Sequence, residues 1–363
     1  MKLKSLIPGS LLGSLAFLFS CSSPGTTEQA ATMPVGRVVE IKAPLGLPPV
    51  PIPADNPPTA ETIELGRRLY YDTILSKDNT VSCASCHQPD FGFADPRQFS
   101  VGVNGGTGDR QSPSVWNAAY YTTQFWDGRA ASLEDQAVGP MANPIEMAHT
   151  LEDIEKALAA DAAYVALFEK AFGPGPITAQ NAAKAIASFE RTVLTGNSPF
   201  DRFMYGGDET ALSEQAKLGL EVFRNKDKGN CAVCHTIEAD HALFSDSKFH
   251  NLGVGVETDG TFKDTGRFKV TNAEADTGAF KTPTLRNIAQ SAPYMHDGSL
   301  RTLKDVVDFY IGAGNSNPHR DAELKELDHL TREERDALVA FMEALTGEVP
   351  PNLGPPSTTL SDD

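Results

Sequence analysis

The sequence predicts a mainly α-helical chain, folded as two domains that are related by internal duplication and joined by long loops. Three observations lead there. Strand-like alternating runs are few, while amphipathic stretches with helical spacing recur along the chain. The segment Ser112–Pro140 aligns without gaps on Thr282–Tyr310 at an offset of 170 residues, the mark of a duplicated unit. Glycine and proline are abundant, at 30 and 25 of 363 residues, so irregular segments must separate the helices.

Each half opens with the same pair of elements. Glu64–Tyr70 reads as an amphipathic helix leading to Cys83-Ala84-Ser85-Cys86-His87, and Lys217–Phe223 does the same before Cys231-Ala232-Val233-Cys234-His235. A C-x-x-C-H run is the attachment signature of c-type haem. The two thiols form thioether bonds to the porphyrin edge, and the adjoining histidine turns back to bind iron. A zinc knuckle or a redox dithiol is the competing reading. Zinc needs ligands spread over a tetrahedron, which a histidine directly after the second cysteine suits poorly. A second complete copy also argues against coincidence. Two covalently bound c-type haems are expected, on cytochrome c-like domains. Cys83, Cys86, Cys231 and Cys234 are the attachment points, and His87 and His235 are the proximal ligands.

Downstream of the motifs the repeat shares Pro113/Pro283, Asn117/Asn287, Asp127/Asp297, Gly128/Gly298, Leu133/Leu303 and Asp135/Asp305. Between the copies, 150–170 and 178–194 have helical periodicity, and 198–210 reads as the connector. A last helix opens at Thr331, an N-cap followed by Glu333 and Glu334, and runs to about Leu345. The expected domains are 57–207 and 208–347, with a boundary near Asp208 and a disordered tail over 348–363.

Four of the five cysteines are consumed by the haem motifs, and the fifth is Cys21. Lys2 and Lys4, an apolar run from Leu6 to Phe19 and the ending Leu18-Phe19-Ser20-Cys21 resemble a lipoprotein signal peptide over 1–21, with Cys21 acylated as a lipid anchor. The apolar run is too short for a permanent membrane span. Residues 22–56 then form a tether and N-terminal extension. A cleaved secretory signal with an incidental cysteine is the alternative, and both place the protein in the periplasm. The net charge of -17 argues against nucleic acid as a partner and would steer a basic electron carrier toward the surface.

The repeat also predicts asymmetry. A haem iron held by histidine on one side has a sixth position on the other, and the downstream half of each repeat is placed to cover it. Tyr310 in the second copy corresponds to Pro140 in the first, a side chain that cannot bind metal.

Specific motifs add a resemblance. Phe125-Trp126-Asp127-Gly128-Arg129, Glu134-Asp135-Gln136-Ala137, Gly139-Pro140-Met141 and Asn143-Pro144-Ile145-Glu146-Met147 resemble the bacterial di-haem cytochrome c peroxidases and their relative MauG. So do Lys281-Thr282-Pro283-Thr284-Leu285-Arg286-Asn287 and Ala292-Pro293-Tyr294-Met295-His296-Asp297-Gly298. The likeness runs from about Pro57 to Gly347.

The resemblance implies that the haem on His87 reacts with peroxide and that the haem on His235 transfers electrons. Glu146 matches the distal glutamate, which takes a proton from one peroxide oxygen and returns it to the other. Gln136 matches the neighbouring amide. Trp126 matches the tryptophan between the haems, whereas Trp116 has no such match and reads as core. His241, His250, His319 and His329 read as surface or loop residues, and His296 as a residue lining the second haem pocket or bonding a propionate.

Two departures from the ordinary peroxidase pattern stand out. No histidine occurs between Gln88 and Ala148, where many of these enzymes carry one that blocks the peroxide site at rest. The first haem is therefore expected to be open and high-spin. Tyr310 stands where typical members carry an axial methionine and MauG carries tyrosine. Met295 is the alternative ligand. An anionic oxygen favours ferric over ferrous iron and lowers the potential. The family's calcium site maps onto Gln111, Ser291 and Pro293, where glutamine replaces asparagine. Gly229-Asn230 stands where MauG has a surface tryptophan.

The resulting expectation is a peroxidase that reduces hydrogen peroxide with electrons from a small cytochrome c or cupredoxin, with a homodimer left open as its assembly. A MauG-like oxidase of a partner protein and a non-enzymatic electron-transfer cytochrome are the alternatives.

Overall fold

The computed structural model describes residues 31–356. The expected signal peptide, Cys21 and the start of the tether lie outside the described residues, as does the end of the tail.

Among the described residues the fold is mainly helical, with one antiparallel ribbon formed by β1 (Phe249–His250) and β2 (Phe280–Lys281). The longer helices, in chain order, are α1 (Ala60–Tyr71), α2 (Leu133–Ala142), α3 (Leu151–Ala160), α4 (Ala162–Phe172), α5 (Ala179–Glu190), α6 (Pro199–Met204), α7 (Glu214–Arg224), α8 (Leu303–Ile311) and α9 (Arg332–Glu343). The stretch 150–170, which has helical periodicity, forms two helices. Asp161 ends α3 and caps α4, its carboxylate accepting from Ala163 N–H, which is a stronger local preference for an acidic residue than a helix interior.

Two hydrophobic cores match the two halves of the repeat. Leu65, Leu69, Tyr70, Trp116, Met141, Ile186 and Phe189 belong to the first, and Leu220, Phe223, Phe244, Leu303, Val307 and Phe341 to the second. Trp116 is core as expected, set edge-on to Phe93 with ring centroids 4.9 Å apart. The connector is more structured than its composition suggests. Within it α6 places Phe200 in the second core, where it meets Phe244 and Phe341.

The same close helix crossing is built twice. In α1, a Cβ at Gly66 would fall 1.8 Å from the Ala185 carbonyl oxygen of α5, and in α7 one at Gly219 would fall 2.0 Å from that of Ala337 in α9. Only glycine lets the two backbones approach this far. Each crossing fixes the helix that leads into a C-x-x-C-H motif. Beyond it the loops repeat as well. Asn117 and Asn287 both adopt left-handed backbone before a 3-10 turn, and Gln124–Ala130 and Tyr294–Leu300 form matching bridges ahead of α2 and α8.

The segments flanking the domains are packed rather than free. Val35 N–H donates to Ala171 O, Tyr120 Oη to Pro48 O, and both Ala242 N–H and Arg286 Nη2 to Gly46 O. The tail, expected to be disordered from 348, lies against the first domain as far as Leu353. Tyr71 Oη donates to Leu353 O at 2.5 Å, Arg67 Nη1 donates to Asn352 O, and Leu353 joins the first core.

Candidate active site

The two C-x-x-C-H motifs are held alike. Cys83–Cys86 form one helical turn, with His87 at its end donating its backbone N–H to Cys83 O at 2.9 Å. His235 N–H donates to Cys231 O at 3.0 Å in the second motif. The Nδ1 of His87 is 3.0 Å from Pro113 O, and that of His235 is 2.8 Å from Phe244 O. A carbonyl only accepts, so Nδ1 carries the hydrogen and Nε2 keeps its lone pair for a metal. Burial lowers the pKa of both imidazoles against the pull of these carbonyls, which keeps them neutral. Two unpaired thiols and one oriented neutral imidazole per motif are the donor set that c-type haem requires.

A cavity opens over the second motif. Cys231, Cys234 and His235 line it together with Tyr310, Met295, Trp126, Lys281 and His296 and with apolar side chains such as Leu252, Val254, Leu285 and Leu303. Both candidate axial ligands, Tyr310 and Met295, therefore line the same cavity. Burial, followed by the charges of Cys231 and Cys234, raises the Tyr310 phenol well above its ordinary pKa. A metal cation on the phenol oxygen would favour its ionised form.

Trp126 borders the same cavity from the first domain. Its indole N–H donates to Gln111 O at 2.8 Å, and its carbonyl accepts from Lys281 N–H at 2.8 Å. The next residue, Asp127, pairs with Arg110 at 2.6 Å, which in turn pairs with Asp264 at 2.6 Å. Arg267 Nη1 donates to the carbonyls of Asp127 and Gly128. This network ties the tryptophan segment to the second domain. Gln111, Ser291 and Pro293 also line this cavity. All three can offer oxygen, although Ser291 donates its hydroxyl hydrogen to Ile288 O and Gln111 O is engaged by Trp126.

At the first motif, Glu146 lies near enough for its charge to act on Cys86. It is half-buried, and Asn143 Nδ2 donates to its Oε1 at 2.6 Å. Burial raises the Glu146 pKa, while the Asn143 hydrogen bond and the Arg129 charge act against that rise. The glycine-rich loop without histidine supports it from behind. Val103 N–H donates to Glu146 O at 2.8 Å, and a Cβ at Gly102 would fall 2.2 Å from Ile145 O. Gln136 is half-buried on α2, and no hydrogen bond joins its side chain to Glu146.

Two residues emerge that sequence reasoning passed over. His250, expected in a polar loop, is half-buried between Asp321 and Asp246, with Cys234 Sγ 3.9 Å away. The Cys234 sulfur, then the two carboxylates, hold its pKa up to about 10. Asp246 is four residues away, but the pairing that encloses the ring depends on Asp321, which is 71 residues away in sequence. Lys281 opens the stretch Lys281-Thr282-Pro283, and nothing in that sequence says that the residue is buried. His296 meets the expectation of a pocket residue. It is stacked on Phe280 at 3.5 Å, and burial lowers its pKa to about 4.

The comparisons with known proteins bear on this arrangement. The di-haem cytochrome c peroxidase family model matches residues 60–210, and the cytochrome c model matches 216–346. The methylamine utilization protein MauG of Methylorubrum extorquens is 40% identical over 300 residues, covering 82% of each chain. The chain belongs to the di-haem cytochrome c peroxidase family. Another relative within this peroxidase family is the cytochrome c551 peroxidase of Nitrosomonas europaea, 37% identical over 300 residues, covering 83% of this chain and 84% of that one. Among solved structures, a MauG-like protein associated with microbial copper homeostasis superposes with a TM-score of 0.78 at 33% identity, over 88% of this chain and 99% of the other. Di-haem peroxidases carry haem, and the donor sets at His87 and His235 fit it.

Proposed function

We propose that this chain is a periplasmic, lipid-anchored peroxidase that reduces hydrogen peroxide to water, with a small soluble cytochrome c or cupredoxin as electron donor. The observation that carries the reading is the unequal pair at equivalent places in α2 and α8: Pro140, which has no donor atom, and Tyr310, whose phenol lines the second-motif cavity. One site is thereby left open to an oxidant and the other is capped.

Bound haem would supply the iron coordination position for peroxide and the one-electron redox steps. The chain supplies the rest. His87 and His235, oriented through Nδ1–H, present Nε2 as the proximal donor. Glu146 takes the proton of the inner peroxide oxygen on Oε2, the oxygen not engaged by Asn143, and returns it to the outer oxygen as the O–O bond breaks. Two electrons and two further protons complete the conversion of one peroxide to two waters. Trp126, braced between Gln111 and Lys281, offers an intermediate stop for electrons between the halves. Gln136 on α2 is assigned to hold peroxide or a water without adding charge. Gln111, Ser291 and Pro293 are assigned to a calcium ion, a hard cation that prefers oxygen donors. Metal analysis of the desalted protein tests that assignment.

Tyr310 and the MauG relative favour a second reading, oxidation of a partner protein's side chains. Gly229-Asn230, standing where MauG carries its surface tryptophan, counts against it. An electron paramagnetic resonance spectrum of the oxidised holoprotein, read with a steady-state peroxide assay, decides. A high-spin ferric signal with turnover of a reduced cytochrome c supports the peroxidase. Two low-spin signals and no turnover would leave an electron carrier.

A further inference from the structure

Four lysine or arginine side chains are buried among the described residues: Lys184, Arg191, Lys281 and Arg286. Three are committed. Lys184 Nζ donates to Asp55 O, Arg191 pairs with Glu134 at 2.7 Å, and Arg286 pairs with Asp201 at 2.8 Å. The Lys281 amine has neither a hydrogen bond nor an ion pair among the described residues. It is 7% exposed, and its Nζ lies 3.3 Å from the centroid of the Tyr121 ring. That ring is fixed, since Tyr121 Oη accepts from Thr284 N–H at 2.6 Å. A π-face offsets only part of the cost of removing an ammonium from water. Burial pushes the amine down to about 7.

Lys281 lines the cavity that also holds Cys231, Cys234 and His235. A haem there brings two carboxylates, and a desolvated carboxylate needs a cation or hydrogen-bond donors. The other candidates on the wall are unsuited. Lys226 and Lys325 are exposed, Lys228 is paired with Glu334, His250 is already held between Asp246 and Asp321, and His296 is held neutral.

We propose that Lys281 is the charge partner of a propionate of the second haem, a positioning residue that holds that haem's reduction potential up. The inference rests on reading this cavity as the second haem's. An unpaired propionate is a negative charge close to iron and favours the ferric state. The ammonium cancels it. Lys281 also donates its backbone N–H to Trp126 O, so the pair lies beside the residue assigned to carry electrons between the halves.

The test uses holoprotein of wild type, K281M, K281Q and K281R. Haem content is measured first, and fewer than two haems in the wild type overturns the underlying reading rather than this one. In spectroelectrochemical titrations K281M and K281Q are expected to shift the second haem's reduction equilibrium about tenfold toward ferric, a fall of about 59 mV for one electron. K281R should recover most of the shift, and the first haem should stay in place. A shift below threefold, or an upward one, overturns the proposal. Where the variants fail to take up haem, the resonance Raman propionate bending band of the wild-type second haem decides. The position of an ion-paired group supports the proposal, and that of a solvent-exposed group defeats it.

Discussion

Asn143 donates its side-chain amide to Glu146 Oε1 at 2.6 Å, and that hydrogen bond opposes the rise in pKa which burial imposes on the carboxyl. The two side chains form a unit. In the proposed mechanism Glu146 carries the proton, and the Asn143 hydrogen bond favours its charged form.

Replacing Glu146 by Gln keeps the shape and removes the proton transfer. The peroxide reaction of the ferric holoprotein should slow by about a hundredfold or more, the usual scale for loss of a general acid-base group. Stopped-flow spectra recorded at several peroxide concentrations measure this. Unchanged kinetics would remove Glu146 from the chemistry.

Asn143→Ala should move the pH profile. The carboxylate is the active base, so the rate falls as pH drops through the Glu146 pKa, which already lies above the ordinary carboxyl value. Without the Asn143 donor the pKa rises further, and the acid limb of the second-order rate constant should move to higher pH. A limb that stays put or moves to lower pH would refute the coupling.

Tyr310→Phe should raise the second haem's potential and change its low-spin resonance, because an oxygen ligand that favours ferric iron is lost. Met295→Leu should leave both unaltered. The reverse outcome in a paired redox titration would transfer the ligand role to Met295, which lines the same cavity.

Gly219→Ala should destabilise the second domain by about 1–3 kcal/mol, the range for forcing extra atoms into a packed contact. Its Cβ would fall 2.0 Å from Ala337 O. Denaturation followed in the haem bands measures the change, and Gly66→Ala should do the same to the first domain.

Much of this molecule is legible in its sequence because the decisive signals are local or duplicated. The motifs at Cys83 and Cys231 announce themselves, and the repeat of 112–140 in 282–310 foretells the paired loops, down to the left-handed Asn117 and Asn287. Gly66 and Gly219 were visible within the two leading helices, but their reason, a backbone carbonyl more than a hundred residues away, was not. His250 and Lys281 escaped for a related cause. Each is defined by what surrounds it in space, two acidic residues for one and an aromatic face for the other. The proline-rich 31–56 and the end of the chain have no periodicity from which docking could be read. Their anchors are isolated hydrogen bonds to distant backbone and side-chain groups.

Those anchors cross over. The leading extension reaches the second domain at Arg286, and the trailing segment returns from α9 to Tyr71 in the first. A nick in the stretch around Asp208 would therefore leave each fragment still in contact with a strap that belongs to its neighbour. The spacing between the two C-x-x-C-H motifs is in this way guarded by both straps and by the Arg110 and Arg267 contacts rather than by a single hinge.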